Sequence, residues 1–207
     1  MPAPEFAPPT SPEADERQTL SRSQAATRLK ISMGSVDKLI SAGILGSLPL
    51  QAAVVEHFAS WPTLTVRAGE LTVLRTAPRA PAYPGEGREF IGYHVDMTDE
   101  QLAAASLGYW RSDPDKVVGN ELFAVTVASF PVAVFRITEK VKTVTRDGED
   151  RPRHLYAGDL LARLRHGAQV QWSATMPGHL RDRVRQLMHS RVVAESGGPI
   201  AYLGPAL

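Results

Sequence analysis

The chain has 207 residues, 43% of them apolar, a formal net charge of +1 and no cysteine. This length allows one large or two small domains, and the lack of cysteine excludes disulfides, thiol catalysis and thiolate zinc sites. No apolar run approaches the roughly 20 residues that span a bilayer, so we expect a cytoplasmic protein with no membrane partner.

Residues 1–18 are predicted to form a disordered, proline-rich tail. Five prolines lie among the first twelve residues, and the acidic residues that follow outnumber the single arginine. Such a segment cannot bury enough apolar surface to offset the entropy lost on ordering. It also lacks the basic patch and apolar core of a signal peptide, so we expect none here.

Residues 19–62 are predicted to form a helical domain that begins with two short helices around a tight turn. The apolar residues that let each helix bury one face are Ala25, Ala26, Leu29, Val36, Leu39 and Ile40. Ser32 is expected to cap the second helix and Gly43 to end it. Pro49 favours the first turn of a third helix that runs through Phe58.

This pattern resembles the helix-turn-helix of excisionases and MerR-type regulators. The shared features are a small-residue first helix, a turn that opens on Ser32, and an apolar-x-x-Gly-x-apolar step within residues 39–45. The match covers about a fifth of the chain and implies double-stranded DNA as the partner. A wing normally follows in that family, and residues 46–49 leave almost no room for one.

In a major-groove helix, the side chains of the first two turns reach base edges. The expected DNA-binding residues are Arg22, Arg28, Lys30, Ser32, Met33, Ser35, Asp37 and Lys38, with Gly34 beside them. The arginines and Lys30 would contact the DNA backbone, and the two serines would lie near phosphates. Asp37 can accept from cytosine N4, although it repels phosphate and is alternatively a helix charge of no consequence.

So few base-reading residues indicate weak sequence readout per subunit. A homodimer on a two-fold site would compensate for this. The alternative for the whole element is a helical hairpin that docks on a protein partner.

Residues 63–207 are predicted to form a mixed α/β domain with a curled sheet or barrel, which makes the fold class α+β. Thr98 begins a helix, with Gln101 completing a capping box. The other expected elements are strands in 64–75, a loop at 76–88, two strands in 122–137 joined near 129–131, a hairpin or loop at 140–153, a helix at 179–190 and an extended segment at 198–203.

The order of a capped helix, Gly108, an aromatic pair with an arginine, a polar loop and two strands resembles a PUA-like domain of the ASCH/EVE type. The resemblance covers roughly residues 88–205 and includes the closing segment 199–202. It implies a pocket for nucleic acid, often for a modified or flipped base.

Tyr109, Trp110 and Arg111 supply the residue types that such a pocket needs, namely a ring to stack on and a donor fork. Because neighbours on a strand face opposite ways, we expect Tyr109 and Arg111 on one side and Trp110 as core or pocket wall. Alternatively, Trp110 is a core anchor and Arg111 pairs with Asp113 or Asp115.

The sequence shows no catalytic pattern. Its six histidines have neither HxH nor HExxH spacing, and the Walker, GxGxxG and GxSxG motifs do not occur. Asp99 and Glu100 suit a helix N-terminus. We therefore expect no enzyme, no metal and no cofactor. A second basic stretch runs from Arg151 to Arg191, and it indicates either a surface for a polyanion or a solvated helix face.

Together these features predict a DNA-binding regulator of transcription or of a mobile element. Its second domain would bind a modified base or nucleotide, or mediate dimerisation. One alternative is a binder of RNA or modified nucleic acid in which the PUA-like domain dominates. A second alternative is a protein-interaction adaptor whose arginines face a protein partner.

Overall fold

The structure, a computed structural model, describes residues 18–195 and 197–205, so the predicted tail falls almost entirely outside them. The described chain is α+β. Its helices are α1 (Arg22–Leu29), α2 (Met33–Ser41), α3 (Ala52–Ala59), α4 (Asp99–Leu107), α5 (Pro114–Gly119) and α6 (Arg181–Met188). Its strands are β1 (Thr19–Leu20), β2 (Leu50–Gln51), β3 (Leu71–Thr76), β4 (Ala80–Pro81), β5 (Phe90–Ile91), β6 (Leu122–Val127), β7 (Phe130–Val144), β8 (Arg153–Leu164), β9 (Val170–Trp172) and β10 (Ile200–Leu203).

Local capping explains where the first two helices begin and end. Ser21 and Gln24 form a reciprocal capping box at the start of α1. The Ser32 hydroxyl accepts from the Ser35 amide at 3.2 Å, which confirms Ser32 as the cap of α2. Gly43 follows the last turn with φ +75, the left-handed conformation that commonly terminates a helix, and this confirms its predicted role.

The sequence predicts that the third helix begins near Pro49. In the structure it begins at Ala52. Leu50 and Gln51 instead form a strand that pairs antiparallel with β1. Because the backbone groups of Leu50 and Gln51 pair with β1, these residues are not available for the first turn of a longer helix. The ladder joins the segments that precede α1 and α3, and so closes the three-helix unit (residues 19–59).

A six-stranded mixed sheet forms the rest of the fold, in the order β10-β3-β6-β7-β8-β9. Strands β3 and β6 are parallel, and the other neighbours are antiparallel. The predicted pair of strands within 122–137 is confirmed as the β6–β7 hairpin, which turns at residues 128–129. The segment 140–153, predicted as a hairpin or a loop, contains the end of β7, the connection to β8 and the first residue of β8, and register shifts interrupt the pairing of these two strands.

Two elements are shorter than predicted. The segment 64–75 was expected to form one or two strands, but its regular strand begins at Leu71. The Leu64 amide instead donates to the Arg191 carbonyl at 2.8 Å, outside the sheet. The helix expected over 179–190 is regular from Arg181 to Met188. A 3-10 turn precedes it.

One continuous apolar core joins the three-helix unit to the sheet. Phe58 of α3 lies against Phe130 of β7 with ring centroids 5.3 Å apart. The Val95 amide donates to the Ala42 carbonyl at 3.1 Å, beside the end of α2. These contacts fix the orientation of α2 relative to the sheet. Among the described residues, none of the helices combines the length and the hydropathy that a membrane-spanning segment requires.

Candidate nucleic-acid interface and ligand cleft

The first turn of α2 faces solvent. Residues 32–34 are exposed, and the Met33 side chain is 52% exposed. The buried residues of this helix, Val36 and Leu39, point to the opposite side and seat it on the core. Because capping and packing fix the helix, its exposed end is available to a partner without rearrangement.

Three of the predicted DNA contacts, Arg22, Arg28 and Asp37, are ion-paired within the chain. Arg22 lies 3.0 Å from Asp37, and Arg28 lies 3.3 Å from Glu56. All four side chains are about half exposed, and exposed pairs of this kind contribute less than about 1 kcal/mol. Phosphate can therefore compete for either arginine. The ion pair with Arg22 explains why an acidic residue, Asp37, occurs in this otherwise basic element.

Lys30 and Lys38 are exposed, and neither has an acidic partner among the described residues. Lys30 follows the last turn of α1 with φ 53, just before Ser32 begins the next helix. Lys38 lies on α2 itself, one turn after Gly34. The exposed turn and these two ammonium groups make up the candidate DNA-binding face, with Ser35 half-buried at its edge.

A cleft of about 480 Å³ lies on the second part of the chain, within the range of roughly 300–1,000 Å³ typical of ligand pockets. The residues that line the cleft include Tyr83, Glu86, Tyr109, Lys142, Val144 and Arg146. They come from the loop before β5, the segment after α4 and the end of β7. The cleft is thus assembled from parts of the sequence that lie far apart.

Glu86 is the buried acid of this cleft. Arg88 holds its Oε2 at 2.7 Å, and the Arg146 guanidinium contacts Oε1 from the other side. Burial lowers the pKa of Arg88 to about 10. The carboxylate thereby fixes two guanidinium groups, and the cleft keeps an excess of positive charge through Lys142.

Both tyrosines of the cleft have an arginine near one ring face. The Arg146 guanidinium carbon lies 5.3 Å from the Tyr83 ring centroid, and the Arg88 guanidinium carbon lies 5.9 Å from that of Tyr109. Tyr83 is the more exposed of the two, at 64%. Two aromatic rings beside cationic groups suit a flat ligand that carries negative charge.

The three predicted pocket residues have different positions. Tyr109 lines the cleft. Trp110 does not line it, because its indole nitrogen donates to the Ser106 carbonyl at 2.6 Å and its ring packs against the core. This placement agrees with Trp110 as a core anchor.

Arg111 lies outside the cleft lining and pairs with Glu149 at 3.3 Å, instead of with Asp113 or Asp115. Asp113 caps α5 by accepting from two backbone amides, which explains why it is occupied elsewhere.

Glu149 is the centre of a small ionic network behind Tyr109. The Arg153 guanidinium donates to both of its carboxylate oxygens at 2.8 Å and also to the Tyr109 carbonyl at 3.2 Å. Hydrogen bonding from Arg153, reinforced by the charge of Arg111, lowers the pKa of Glu149 to about 2. Arg111 therefore supports the segment that carries Tyr109 and does not supply a donor fork to the cleft.

Sequence reasoning missed Tyr83, Glu86, Lys142 and Arg146. The first two lie in a proline- and glycine-rich segment that was predicted only as a loop, and the last two lie in the charged hairpin. A tyrosine among prolines was the available signal, but nothing local indicated which hairpin residues would face it.

No protein-family model, no curated protein and no solved structure matches this chain. The resemblances to a helix-turn-helix and to a PUA-like domain therefore stay predictions. Any assignment of function rests on the geometry of the α2 face and of the cleft.

Proposed function

We propose that this protein binds double-stranded DNA through α2 and acts as a regulator of transcription or of a mobile element. The observation that carries the proposal is the exposed first turn of α2, flanked by Lys30 and Lys38 without acidic partners among the described residues. The helix is held by its caps and by the shared core, so little ordering entropy would oppose binding.

The dimensions and chemistry of α2 suit the major groove, which admits an α-helix. Met33 and Lys38 would face base edges, since they lie on the exposed side within the first two turns. Lys30 and the Ser32 hydroxyl would contact phosphates on the flanking strand. Arg22 and Arg28 would add contacts by exchanging a carboxylate for a phosphate.

The test is a fluorescence anisotropy titration of a labelled random-sequence duplex at two salt concentrations. The double variant Lys30→Glu, Lys38→Glu should weaken binding by at least about tenfold, because each site changes from attracting to repelling phosphate. The double variant Lys140→Glu, Arg151→Glu carries the same change in charge at two exposed positions away from α2, so it is the matched control and should bind as the wild type does. Unchanged affinity in the Lys30→Glu, Lys38→Glu variant would remove the basis of the proposal.

A homodimer on a two-fold DNA site belongs to the same proposal. One α2 offers few base-reading side chains, and a second copy would double them. Sedimentation velocity of the protein alone and with duplex measures the stoichiometry directly. Two protein chains per duplex would support the dimer, and one chain per duplex would contradict it.

The second candidate function is recognition of a modified or flipped base by the cleft. The supporting observation is the pair Tyr83 and Tyr109 beside Lys142 and Arg146, which offers rings for a base and cations for its phosphate. This arrangement would also serve the alternative in which the protein chiefly binds RNA or modified nucleic acid.

Base stacking on an aromatic side chain is worth about 1–3 kcal/mol, so Tyr109→Ala should weaken binding by roughly 5- to 150-fold. The probes are single-stranded DNA with one 5-methylcytosine, the same strand unmodified, and the corresponding RNA. Tyr109→Phe keeps the ring and should retain the affinity. Equal binding by the alanine variant to every strand would exclude the cleft, and failure of all strands and of duplex would favour the protein-interaction adaptor.

A further inference from the structure

Seven of the eight arginines between residues 151 and 191 fall into two groups, and the eighth is Arg151. Four of them make contacts that hold the fold together: Arg153 with Glu149, Arg163 and Arg165 with Asp99, and Arg191 with the Leu29 carbonyl. Three others, Arg181, Arg183 and Arg185, all belong to α6. They are exposed, and none has an acidic partner in the part of the chain that the structure describes.

The arginines of α6 lie at the two edges of its buried face, Arg181 and Arg185 at one edge and Arg183 at the other, with Asp182 on the exposed side between them. The residues that seat this helix on the sheet are Val184, Leu187 and Met188. Arg183 also lines a groove of about 750 Å³ between α6 and the segment 62–68, and Arg67 lines the same groove. Arg67 is likewise exposed and unpaired among the described residues. These four arginines form the basic ridge.

The C-terminal end of α6 is fixed to the three-helix unit. His189 follows the helix and lies edge-on to Trp61, with ring centroids 5.8 Å apart. Arg191 donates to the Leu29 carbonyl at 3.3 Å, three residues before the cap of α2. The chain therefore leaves α6 next to the turn that leads into the DNA-binding face. Arg185 is one helical turn, about 6 Å, before His189.

A duplex seated on α2 extends beyond the three-helix unit and carries one phosphate charge per about 1.7 Å of its axis. Residues 46–49 provide no wing to contact that flanking backbone. The chain that follows α6 contacts the end of α1 through Arg191, so the C-terminal end of the ridge is the part nearest the turn before α2, and the charges of the ridge are complementary to phosphate.

We propose that the basic ridge binds the phosphate backbone of the same duplex, beside the segment that α2 contacts. This inference rests on the proposed DNA binding. The ridge contributes affinity that does not depend on sequence, since guanidinium groups on phosphates position a protein without reading bases.

The test compares the wild type with the triple variant Arg181→Gln, Arg183→Gln, Arg185→Gln on a random 30-base-pair duplex across a potassium chloride series. Each lost phosphate contact reduces the slope of log K against log salt by about 0.9, so the triple variant should lose roughly 2 to 3 units of slope. Arg151→Gln, an exposed arginine outside the ridge, is the matched control and should keep the wild-type slope.

Arg185→Gln is measured in parallel, and the slope of log K against log salt should fall by about 0.9. If the triple variant does not fold, this single variant still tests the ridge. Suppose that both α6 variants keep the wild-type slope while the double variant Lys30→Glu, Lys38→Glu binds DNA more weakly. That result would overturn the proposed role of the ridge and would still support the proposed function. A wild-type protein that binds RNA or single strands but no duplex would overturn both.

Discussion

Phe58 tests whether the three-helix unit is built into the sheet domain. Its side chain is fully buried at the end of α3. Its ring centroid lies 4.7 Å from that of Trp61 and 5.3 Å from that of Phe130, both at angles that favour aromatic contact. Phe58→Ala would leave a cavity at the point where α3 meets the sheet.

Truncation of a buried phenylalanine costs about 3–5 kcal/mol, and the two lost ring contacts place this site in the upper part of that range. For a domain of this size, about 4 kcal/mol corresponds to a fall in Tm of roughly 8–16 °C. Phe58→Leu keeps most of the apolar volume and should cost on the order of 1–2 kcal/mol. Val118→Ala, on exposed surface, should leave stability within about 0.5 kcal/mol.

The assay is urea and thermal unfolding followed by far-UV circular dichroism and by tryptophan fluorescence. We expect one transition that both signals report at the same midpoint, shifted as a whole in Phe58→Ala. A loss below about 1 kcal/mol, or helix signal that melts apart from the sheet in the wild type, would refute the shared core.

Three further substitutions test other parts of the structure. Gly43→Ala should lower the free energy of unfolding by about 1–3 kcal/mol, because its φ is +75 and the added methyl group would lie 2.6 Å from the buried Val95 side chain. Gly46→Ala, which has a similar φ but open space around it, should lower the free energy of unfolding by less in the same thermal melt. Glu86→Gln should lower the free energy of urea unfolding by about 3–5 kcal/mol, since two guanidinium groups lose their buried counter-charge, and a loss under 1 kcal/mol would contradict this. Because the pKa of Glu149 falls from 4.5 to about 2 on folding, its contribution to stability is present above pH 4.5 and is lost as the pH falls toward 2. Glu149→Gln should therefore have a lower free energy of urea unfolding than the wild type at pH 5.5, and the difference should shrink at pH 3. An equal difference at both pH values would contradict the ion pair.

Local signals were enough to predict the first two helices of the three-helix unit and the central hairpin, but not the β1–β2 ladder. The Ser32 cap and the Gly43 terminator act within a few residues, so they can be recognised from sequence. The continuous runs of apolar residues that β6 and the first half of β7 bury are also local signals. By contrast, the segment 64–67 has strand-like composition but hydrogen-bonds to the chain after α6, and no local pattern indicates that contact.

The cleft could be predicted only in part. Tyr109 was identified because an aromatic pair beside an arginine is conspicuous in sequence. Its partner Tyr83 and the acid Glu86 reach it through the tertiary fold, and the acid that binds Arg111 is Glu149 on the distant hairpin instead of a neighbour in sequence. Long-range pairing of this kind depends on how β7 and β8 bend, which sequence periodicity does not specify.

The most direct test of the account is an NMR titration of ¹⁵N-labelled protein with a random-sequence duplex. DNA binding through α2 predicts chemical-shift changes concentrated at residues 30–38 at low occupancy, with smaller changes on α6. Changes confined to the surroundings of Tyr83 and Tyr109, or none at saturating duplex, would contradict it.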